Sequence, residues 1–360
     1  MLPVLVTRKV EWDSEKTTRE NMKELNRVIQ LRATIYESGP EGERELWRQV
    51  LEEEEREMEA QQRTPKPPPS ASAQKLSNHR RSAKAMDDGR ISKSAKALQA
   101  VGVADSSQAT FDTIKAKFPE ASLPKIVENM PPAVQVTAVE VECAIHSFPR
   151  GSAGGLTGLK PQHLKDILRN LSENARKDFL SSLTRYSNRI IAFEVPPELG
   201  PYLSAAEVIP LIKINGDLRP VSVGETLRRL ICKAALRVSI EPIVQELEHH
   251  QLGVGTKGGA EAIVHSVTNL MDKAIDNPDT ICGLIDAMNA FNMCSRQAFL
   301  DEILLKFPGL YRLVAFLYGS ASIMVMHSKI ILCVNGVHQG CPLGAFLFSM
   351  TIQPLIAIIK

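Results

Sequence analysis

The sequence lacks several features that would assign it to a class of protein at once. Its six cysteines form no Cys-x-x-Cys pair and no Cys/His spacing of a zinc finger, so we expect no structural zinc site. Most of them lie in apolar runs, as reduced and buried thiols of intracellular proteins do. No apolar run approaches the roughly 18 residues of a membrane-spanning helix, and the N-terminal run is too short for a secretory signal. These absences predict an intracellular protein, nuclear or cytoplasmic, that does not bind membranes.

A large excess of charge is missing as well. The formal net charge is +2 over 360 residues, so no global electric field indicates nucleic acid as a partner, although a local basic surface is compatible with this balance. No repeat with a fixed period is present. The chain is 44% hydrophobic, which is enough for a sizeable core divided over two or three units.

Composition divides the chain into four parts. Residues 1–62 are rich in Glu, Arg and Gln and predict a charged, partly disordered helical arm, with an apolar stripe too short for a coiled coil. Residues 63–74 hold consecutive prolines and a Ser/Ala tract, which are typical of a linker. Residues 75–136 predict a basic helical region, in which two helices separated at Asp88-Gly89 either bind phosphates or face solvent. Residues 137–360 are denser in apolar residues and predict the globular part of the chain.

Local patterns in residues 137–360 predict helices mixed with hairpins. Thr137 with Glu140 has the spacing of a capping box, and Pro161 indicates the start of another helix. The Asn215-Gly216 pair predicts a hairpin turn between two strands, and a second hairpin is expected with its polar tip at residues 327–329. Apolar stripes at helical spacing predict two further helices in residues 224–240 and 296–307. The predicted fold class is α+β.

One carboxylate and two basic residues form the candidate site. Asp286 ends the apolar run "TICGLID", which predicts a buried strand, and a carboxylate emerging there must be paired, hydrogen-bonded or metal-bound. Phe291 follows five positions later. Lys213 and Arg219 lie on opposite sides of the Asn-Gly turn, where Arg would grip an anion bidentately and Lys would add a point charge. Taken singly, these are also the features of a common strand end and of solvated hairpin charges.

Five segments in a fixed order resemble the reverse transcriptases of non-LTR (LINE-type) retrotransposons. The resemblance covers roughly residues 139–360, and the basic region before it is similar to the segment that precedes the polymerase in such elements. The segments, in chain order, are "GSAGGLTGLKPQHL", "VIPLIKINGDLRPVSVGETLRRLICK", "HQLGVGTKGGAEAIVH", "LIDAMNAFNMCSRQAFLDEI" and "GVHQGCPLGAFLFSMTIQPL".

This resemblance implies the fingers and an incomplete palm of a right-hand polymerase, in which helices flank an antiparallel sheet. It further implies RNA-directed DNA polymerase activity with two Mg²⁺ ions, and RNA template, DNA primer and dNTP as partners. It places Asp286 at the metals and Phe291 beneath the deoxyribose. The other matched positions are Lys213, Arg219, Gln339 and Gly340 for the nucleotide, and Gly336, Cys341 and Pro342 for the template and backbone.

The sequence also departs from the family in two places. No Tyr/Phe-x-Asp-Asp motif follows Asp286, and the one adjacent aspartate pair is Asp87-Asp88, far upstream. We therefore expect a fragment that stops before the second carboxylate motif, and 360 residues that are inactive as a polymerase by themselves. Leu156-Thr157 stands where the family usually has Pro-Asp, which predicts a looser turn. The alternative function is a non-catalytic nucleic-acid-binding protein, either a remnant or a domesticated protein.

Overall fold

The structure is a computed structural model, and it describes residues 71–87, 97–98, 101–247, 251–274 and 285–359. Helices dominate these ranges, and four short strands form one sheet. The helices are α1 Ala71–Asp87, α2 Gln108–Lys115, α3 Ala138–His146, α4 Pro161–Asn170, α5 Glu173–Ile191, α6 Gly200–Leu203, α7 Thr226–Leu247, α8 Gly259–Ala274, α9 Ala290–Met293, α10 Arg296–Lys306, α11 Pro308–Tyr318 and α12 Gly344–Ile359, with a 3-10 turn at Pro197–Leu199. The strands are β1 Ala206–Ile212, β2 Leu218–Gly224, β3 Ser322–Met326 and β4 Lys329–Cys333.

The sheet has the strand order β2-β1-β3-β4 and is mixed. Strands β1 and β2 pair antiparallel over their whole length, and so do β3 and β4, whereas β1 and β3 pair parallel at Ala206↔Met324. The expected mixture of helices and strands is confirmed, but the expectation of an antiparallel sheet is wrong at its centre. The physical reason is the long helical crossover from α7 to α11, which returns the chain to the same end of the sheet.

Both predicted hairpins are confirmed. The first turns over residues 213–217, where the N–H of Gly216 donates a hydrogen bond to the carbonyl oxygen of Lys213 at 2.9 Å, and Gly216 has φ +83°, a conformation that favours glycine. The second turns at His327-Ser328, between Met326 and Lys329. The capping box before α3 is present, with the Glu140 side chain accepting a hydrogen bond from the backbone N–H of Thr137 at 2.8 Å.

The segment before Asp286 differs from its prediction. Residues 275–284, which hold most of the predicted buried strand, lie outside the described residues. Residues 285–287 are irregular, and the Ile285 side chain is 91% exposed. No described strand pairs with these three residues, so their backbone has no ladder that would bury it.

The region before residue 137 is less helical than predicted. Helix α1 begins at Ala71, inside the interval 63–74 that the composition marks as a linker. Residues 119–136 form neither helix nor strand, contrary to the helical expectation, because prolines at 119, 124, 131 and 132 interrupt any helical hydrogen bonding. Residues 1–62 and most of the second basic helix lie outside the described residues.

Two apolar clusters stabilise the fold. The larger one lies among the helices and includes the predicted stripe residues Leu300 and Ile303, both fully buried. The smaller one packs α2 against the sheet and includes Ile114, Val208 and Met324. Helix α8 differs, because its apolar side is exposed and among the described residues only Gly259 of this helix is buried. None of the described helices has the length and apolar character needed to cross a bilayer.

Candidate functional site

The structure brings together two of the segments on which the family resemblance rests. The Nε of Arg219, on β2, donates a hydrogen bond to Oε1 of Gln339 at 3.1 Å across 120 residues of chain. The Arg219 side chain is exposed and Gln339 is half-buried, so the other N–H groups of the guanidinium face solvent. An exposed, oriented guanidinium of this kind can bind a phosphate oxygen pair.

Two glycines explain how the turn of residues 336–341 reaches this position. A Cβ on Gly340 would lie 2.1 Å from the carbonyl oxygen of Ser222, so the turn rests directly on the backbone of β2. Gly336 has φ +67°, and a Cβ there would lie 2.4 Å from the carbonyl oxygen of Phe291. Both positions require glycine because neighbouring backbone occupies the space of a side chain.

Phe291 packs on the other side of this turn. Its carbonyl oxygen accepts a hydrogen bond from the N–H of Val337 at 2.7 Å, and its ring lies 5.5 Å from that of Phe348. The ring is half-buried against α12. The segment after Asp286 and the turn of residues 336–341 therefore form one continuous packed unit.

Lys213 is engaged at the tip of the first hairpin. Its Nζ lies 3.0 Å from Oδ2 of Asp217, and the Nζ of Lys117 lies 2.9 Å from Oδ1 of the same carboxylate. The hydrogen bonds from Lys117 and then from Lys213 hold the pKa of Asp217 well below its usual value. Asp217 thus competes with any bound anion for both ammonium groups.

The Asp286 side chain is exposed. Three residues after Asp286, the side chain of Asn289 is held by a hydrogen bond: its Nδ2 donates to the carbonyl oxygen of Lys117 at 2.7 Å. Three residues of chain span at most about 11 Å, so the Asp286 Cα lies within about that distance of the Asn289 Cα. Asn289 itself has φ +54°, a left-handed conformation that asparagine tolerates.

The residues around Asp286 do not fit a two-metal site by themselves. In the described part of the chain, no group of three or more His, Cys, Asp or Glu side chains is placed to hold a metal ion. Mg²⁺ binds through one or two carboxylates together with substrate phosphates and water, and two such ions need more oxygen ligands than one aspartate provides.

Cys341 and Pro342 follow the turn, and both are half-buried. The Cys341 N–H donates to the carbonyl oxygen of His338 at 3.0 Å, which closes the turn. The Cys341 side chain interacts with Arg228, Cys232 and Tyr318, all of which are buried. This thiol therefore belongs to an internal polar cluster, which the sequence does not reveal.

A buried arginine, Arg296, also contacts the turn of residues 336–341. Its side chain is 2% exposed. Its Nε donates to the carbonyl oxygen of Gly336 at 3.1 Å, and its Nη2 donates to that of Cys333 at 3.0 Å. Its Nη1 donates to the carbonyl oxygens of Tyr318 and Ser320. Arg296 thus connects the turn to the residues before β3 and to the last residue of β4. The only sequence signal is that it precedes the apolar stripe of α10 by one helical turn.

The glycine-rich loop of residues 151–159 is more firmly held than its sequence predicts. Glu225, at the start of α7, is buried and accepts hydrogen bonds from the N–H and the hydroxyl of Thr157 at 3.0 and 2.7 Å. Gly155 packs against Glu225 so closely that a Cβ would lie 2.7 Å from its Oε1. The expectation of a looser turn at Leu156-Thr157 is wrong, because Thr157 is bonded to a buried carboxylate.

A cleft of about 720 Å³ lies away from these residues, along α5. It is lined by Lys177, Arg185 and Arg189 together with Glu194, and Lys177 is also paired with Glu173. None of the predicted site residues lines this cleft, so its size alone does not connect it to the chemistry indicated by the sequence.

Comparison with protein-family models and with curated proteins finds no match for this chain.

Replacing Gly340 by Ala tests whether the turn must rest on β2. The added methyl group would meet the Ser222 carbonyl oxygen at 2.1 Å, so the turn has to move and separate Gln339 from Arg219. We expect Gly340→Ala to lower stability by about 1–3 kcal/mol in urea unfolding. Gly253→Ala is the matched control, because nothing lies within 4 Å of its Cβ position. Equal stability of the two variants would contradict the close contact.

Proposed function

We propose that residues 137–360 form the fingers and part of the palm of an RNA-directed DNA polymerase of the non-LTR retrotransposon type. The observation that carries this proposal is the contact between Arg219 and Gln339. It joins, across 120 residues, the two segments that the resemblance assigns to the incoming nucleotide. A chance similarity of separate segments gives no reason for these two side chains to meet.

The contacts support a division of roles on this face. Arg219 would bind phosphate oxygens with its exposed N–H groups, and Lys213 would add a second positive charge at the hairpin tip. Gln339 orients the Arg219 guanidinium through the 3.1 Å hydrogen bond. Gly340 lets the turn lie directly on the backbone of β2. Phe291, packed beneath the turn, would lie under the deoxyribose.

Partners and activity follow from the same residues. The dNTP would bind at Arg219 and Gln339, and the RNA template with its DNA primer would lie across the neighbouring turn of residues 336–342. Mg²⁺ would associate with Asp286, but one carboxylate does not assemble the two-metal arrangement. We therefore propose that these 360 residues bind nucleotide and nucleic acid without carrying out nucleotidyl transfer by themselves.

A binding measurement with a matched variant tests this function. Arg219→Ala removes the phosphate-binding guanidinium, and we expect it to weaken dTTP affinity by about tenfold, measured by isothermal titration calorimetry at low salt. Arg169→Ala is the control, because Arg169 is an exposed arginine at the end of α4, outside the proposed face. Equal dTTP affinity of the two variants, or no dTTP binding by the wild-type chain, would overturn the proposal.

Primer extension separates binding from catalysis. With an RNA template, a DNA primer, dNTPs and Mg²⁺, we expect binding of the primer–template but no lengthening of the primer by the 360-residue chain. Robust extension would show that residues other than Asp286 complete the metal site. Binding of the primer–template should weaken steeply with salt, because neutralised phosphates release counterions.

Replacing the Asp217 carboxylate should strengthen dTTP binding, whereas replacing Arg219 should weaken it. Since Asp217 holds both Lys213 and Lys117, Asp217→Asn should free two ammonium groups and raise dTTP affinity by about threefold. Asp178→Asn, which changes an exposed carboxylate on α5, is the control for net charge. The measurement is the same calorimetric titration, and an unchanged or weaker affinity of Asp217→Asn would show that these lysines do not face the nucleotide.

A further inference from the structure

The cleft along α5 has a wall that hydrogen bonds hold in place. Asn188 lines the cleft, and its side chain binds the backbone of Val136 twice. Its Oδ1 accepts a hydrogen bond from the Val136 N–H, and its Nδ2 donates one to the Val136 carbonyl oxygen, each at 2.9 Å. The segment that carries the lining residues Gln135 and Ala138 is therefore fixed beside α5.

The turn at the end of α5 brings a carboxylate into the lining. The N–H of Glu194 donates to the carbonyl oxygen of Arg189 at 2.9 Å, and that of Phe193 donates to the carbonyl oxygen of Ile190 at 3.1 Å. These two bonds are those of a Schellman motif, in which glycine is usual at the position of Phe193. Phe193 adopts φ +57° there, and its ring lies 5.1 Å from that of Phe316. The reversal of the chain places Glu194 in the cleft.

Positive charge dominates this lining. Lys177, Arg185 and Arg189 of α5 line the cleft, against one carboxylate among the described lining residues, that of Glu194. The twelve residues from Lys177 to Arg189 rise by about 18 Å along the helix, so the three cations form a row rather than a compact cluster. A row of this length matches an extended polyanion better than a single small anion.

The two arginines of the row retain unused hydrogen-bond donors. Lys177 pairs with Glu173 at 2.8 Å, whereas Arg185 and Arg189 take part in none of the salt bridges between described residues. Arg189 donates from Nη2 to the carbonyl oxygen of Glu194 at 3.3 Å. Both arginines are exposed, so their remaining N–H groups are available to carboxylates, which guanidinium groups bind bidentately.

The other lining residues favour a peptide over a nucleic acid. Ala138, Leu180 and Ala192 give the cleft an aliphatic part, and none of its described lining residues is aromatic. Sites for single-stranded nucleic acid combine cations with aromatic side chains on which the bases stack. Acidic peptides, in contrast, are recognised by clusters of arginines. Gln135 and Ser181 add groups that can hydrogen-bond a peptide backbone.

We propose that the cleft along α5 is a docking site for an acidic peptide segment of a partner protein. Carboxylates of the segment bind Arg185 and Arg189, and its apolar side chains lie against the aliphatic part of the lining. The volume of about 720 Å³ is in the range of ligand sites, and a row of about 18 Å accommodates about five residues of extended chain. The cleft contains none of the residues assigned to the nucleotide, so this proposal is independent of the polymerase function.

Fluorescence anisotropy with a defined probe tests the site on the full chain. The probe is a fluorescein-labelled peptide of about ten residues, twice the length of the row, in which Glu alternates with Leu. A control peptide has Lys in place of Glu. We expect the Glu peptide to bind at low salt with a Kd below about 100 μM and to dissociate as salt screens the ion pairs. No binding of the Glu peptide, or equal binding of the Lys peptide, would overturn the proposal.

A double variant locates the bound peptide. Arg185→Ala combined with Arg189→Ala removes both available guanidinium groups, and we expect it to weaken binding of the Glu peptide by about tenfold or more. Arg169→Ala combined with Lys257→Ala is the matched control, because both side chains are exposed, lie outside the cleft and carry the same total charge. If the two double variants bind the Glu peptide equally, the peptide is not in this cleft and the proposal is wrong.

A variant that should bind more tightly excludes loss of the fold as the explanation. Glu194 is exposed, and Glu194→Gln keeps the shape of the side chain while removing the carboxylate that competes with the peptide. We expect about threefold tighter binding of the Glu peptide. Glu120→Gln, which changes an exposed carboxylate outside the cleft, is the control. Unchanged or weaker binding by Glu194→Gln alone would contradict the proposed site.

Competition with an oligonucleotide separates the two classes of partner. A dT oligonucleotide of about ten nucleotides should displace the labelled peptide less readily than unlabelled Glu peptide does, because its bases find no aromatic side chain in the cleft. Displacement at a lower concentration than that of the Glu peptide would make the cleft a nucleic-acid site and overturn the peptide assignment. The variant Arg185→Ala with Arg189→Ala should keep the dTTP affinity of the wild type, which distinguishes a failure here from a failure of the nucleotide site.

Discussion

Two buried guanidinium groups hold the turn of residues 336–341, and the candidate site depends on that support. Arg296 donates to the carbonyl oxygen of Gly336, and Arg228 contacts His338 two residues later. With its inner side fixed in this way, the turn lies on the backbone of β2 at Gly340 and presents Gln339 to Arg219. Apolar packing alone is not directional, whereas guanidinium groups with several donors define one position of the turn.

Much of the local structure could be predicted from the sequence, because it depends on short-range patterns. The Asn215-Gly216 turn and the Thr137 capping box are properties of two to four neighbouring residues. The parallel pairing of β1 with β3 could not be predicted in this way, since it depends on where a crossover of about a hundred residues ends. The prediction of a buried strand fails at residues 285–287, which are irregular and pair with none of the described strands, because an apolar run indicates burial only where a partner strand lies beside it.

The candidate site could also be predicted only in part from the sequence. The resemblance to non-LTR reverse transcriptases indicates Lys213, Arg219, Phe291 and Gln339, and the described contacts place the last three in one region. The internal cluster of Arg228, Cys232, Tyr318 and Cys341 could not be predicted, because its members come from three distant segments and an arginine in a helix is usually exposed. The contact of Arg219 with Gln339 lies at the exposed side of this site, and the buried contact of Arg228 with His338 lies at its inner side. One turn of the chain, residues 336–341, belongs to both.

Photocrosslinking with an azido-dATP analogue tests the central claim most directly, because it locates the nucleotide without assuming catalysis. The probe is bound at low salt, irradiated, and its attachment points are mapped by peptide mass spectrometry, with unlabelled dATP as competitor. The account predicts competable adducts on residues 213–224 and 336–344, the two segments joined by the contact of Arg219 with Gln339. Competable adducts confined to other parts of the chain, such as the cleft along α5, would contradict it.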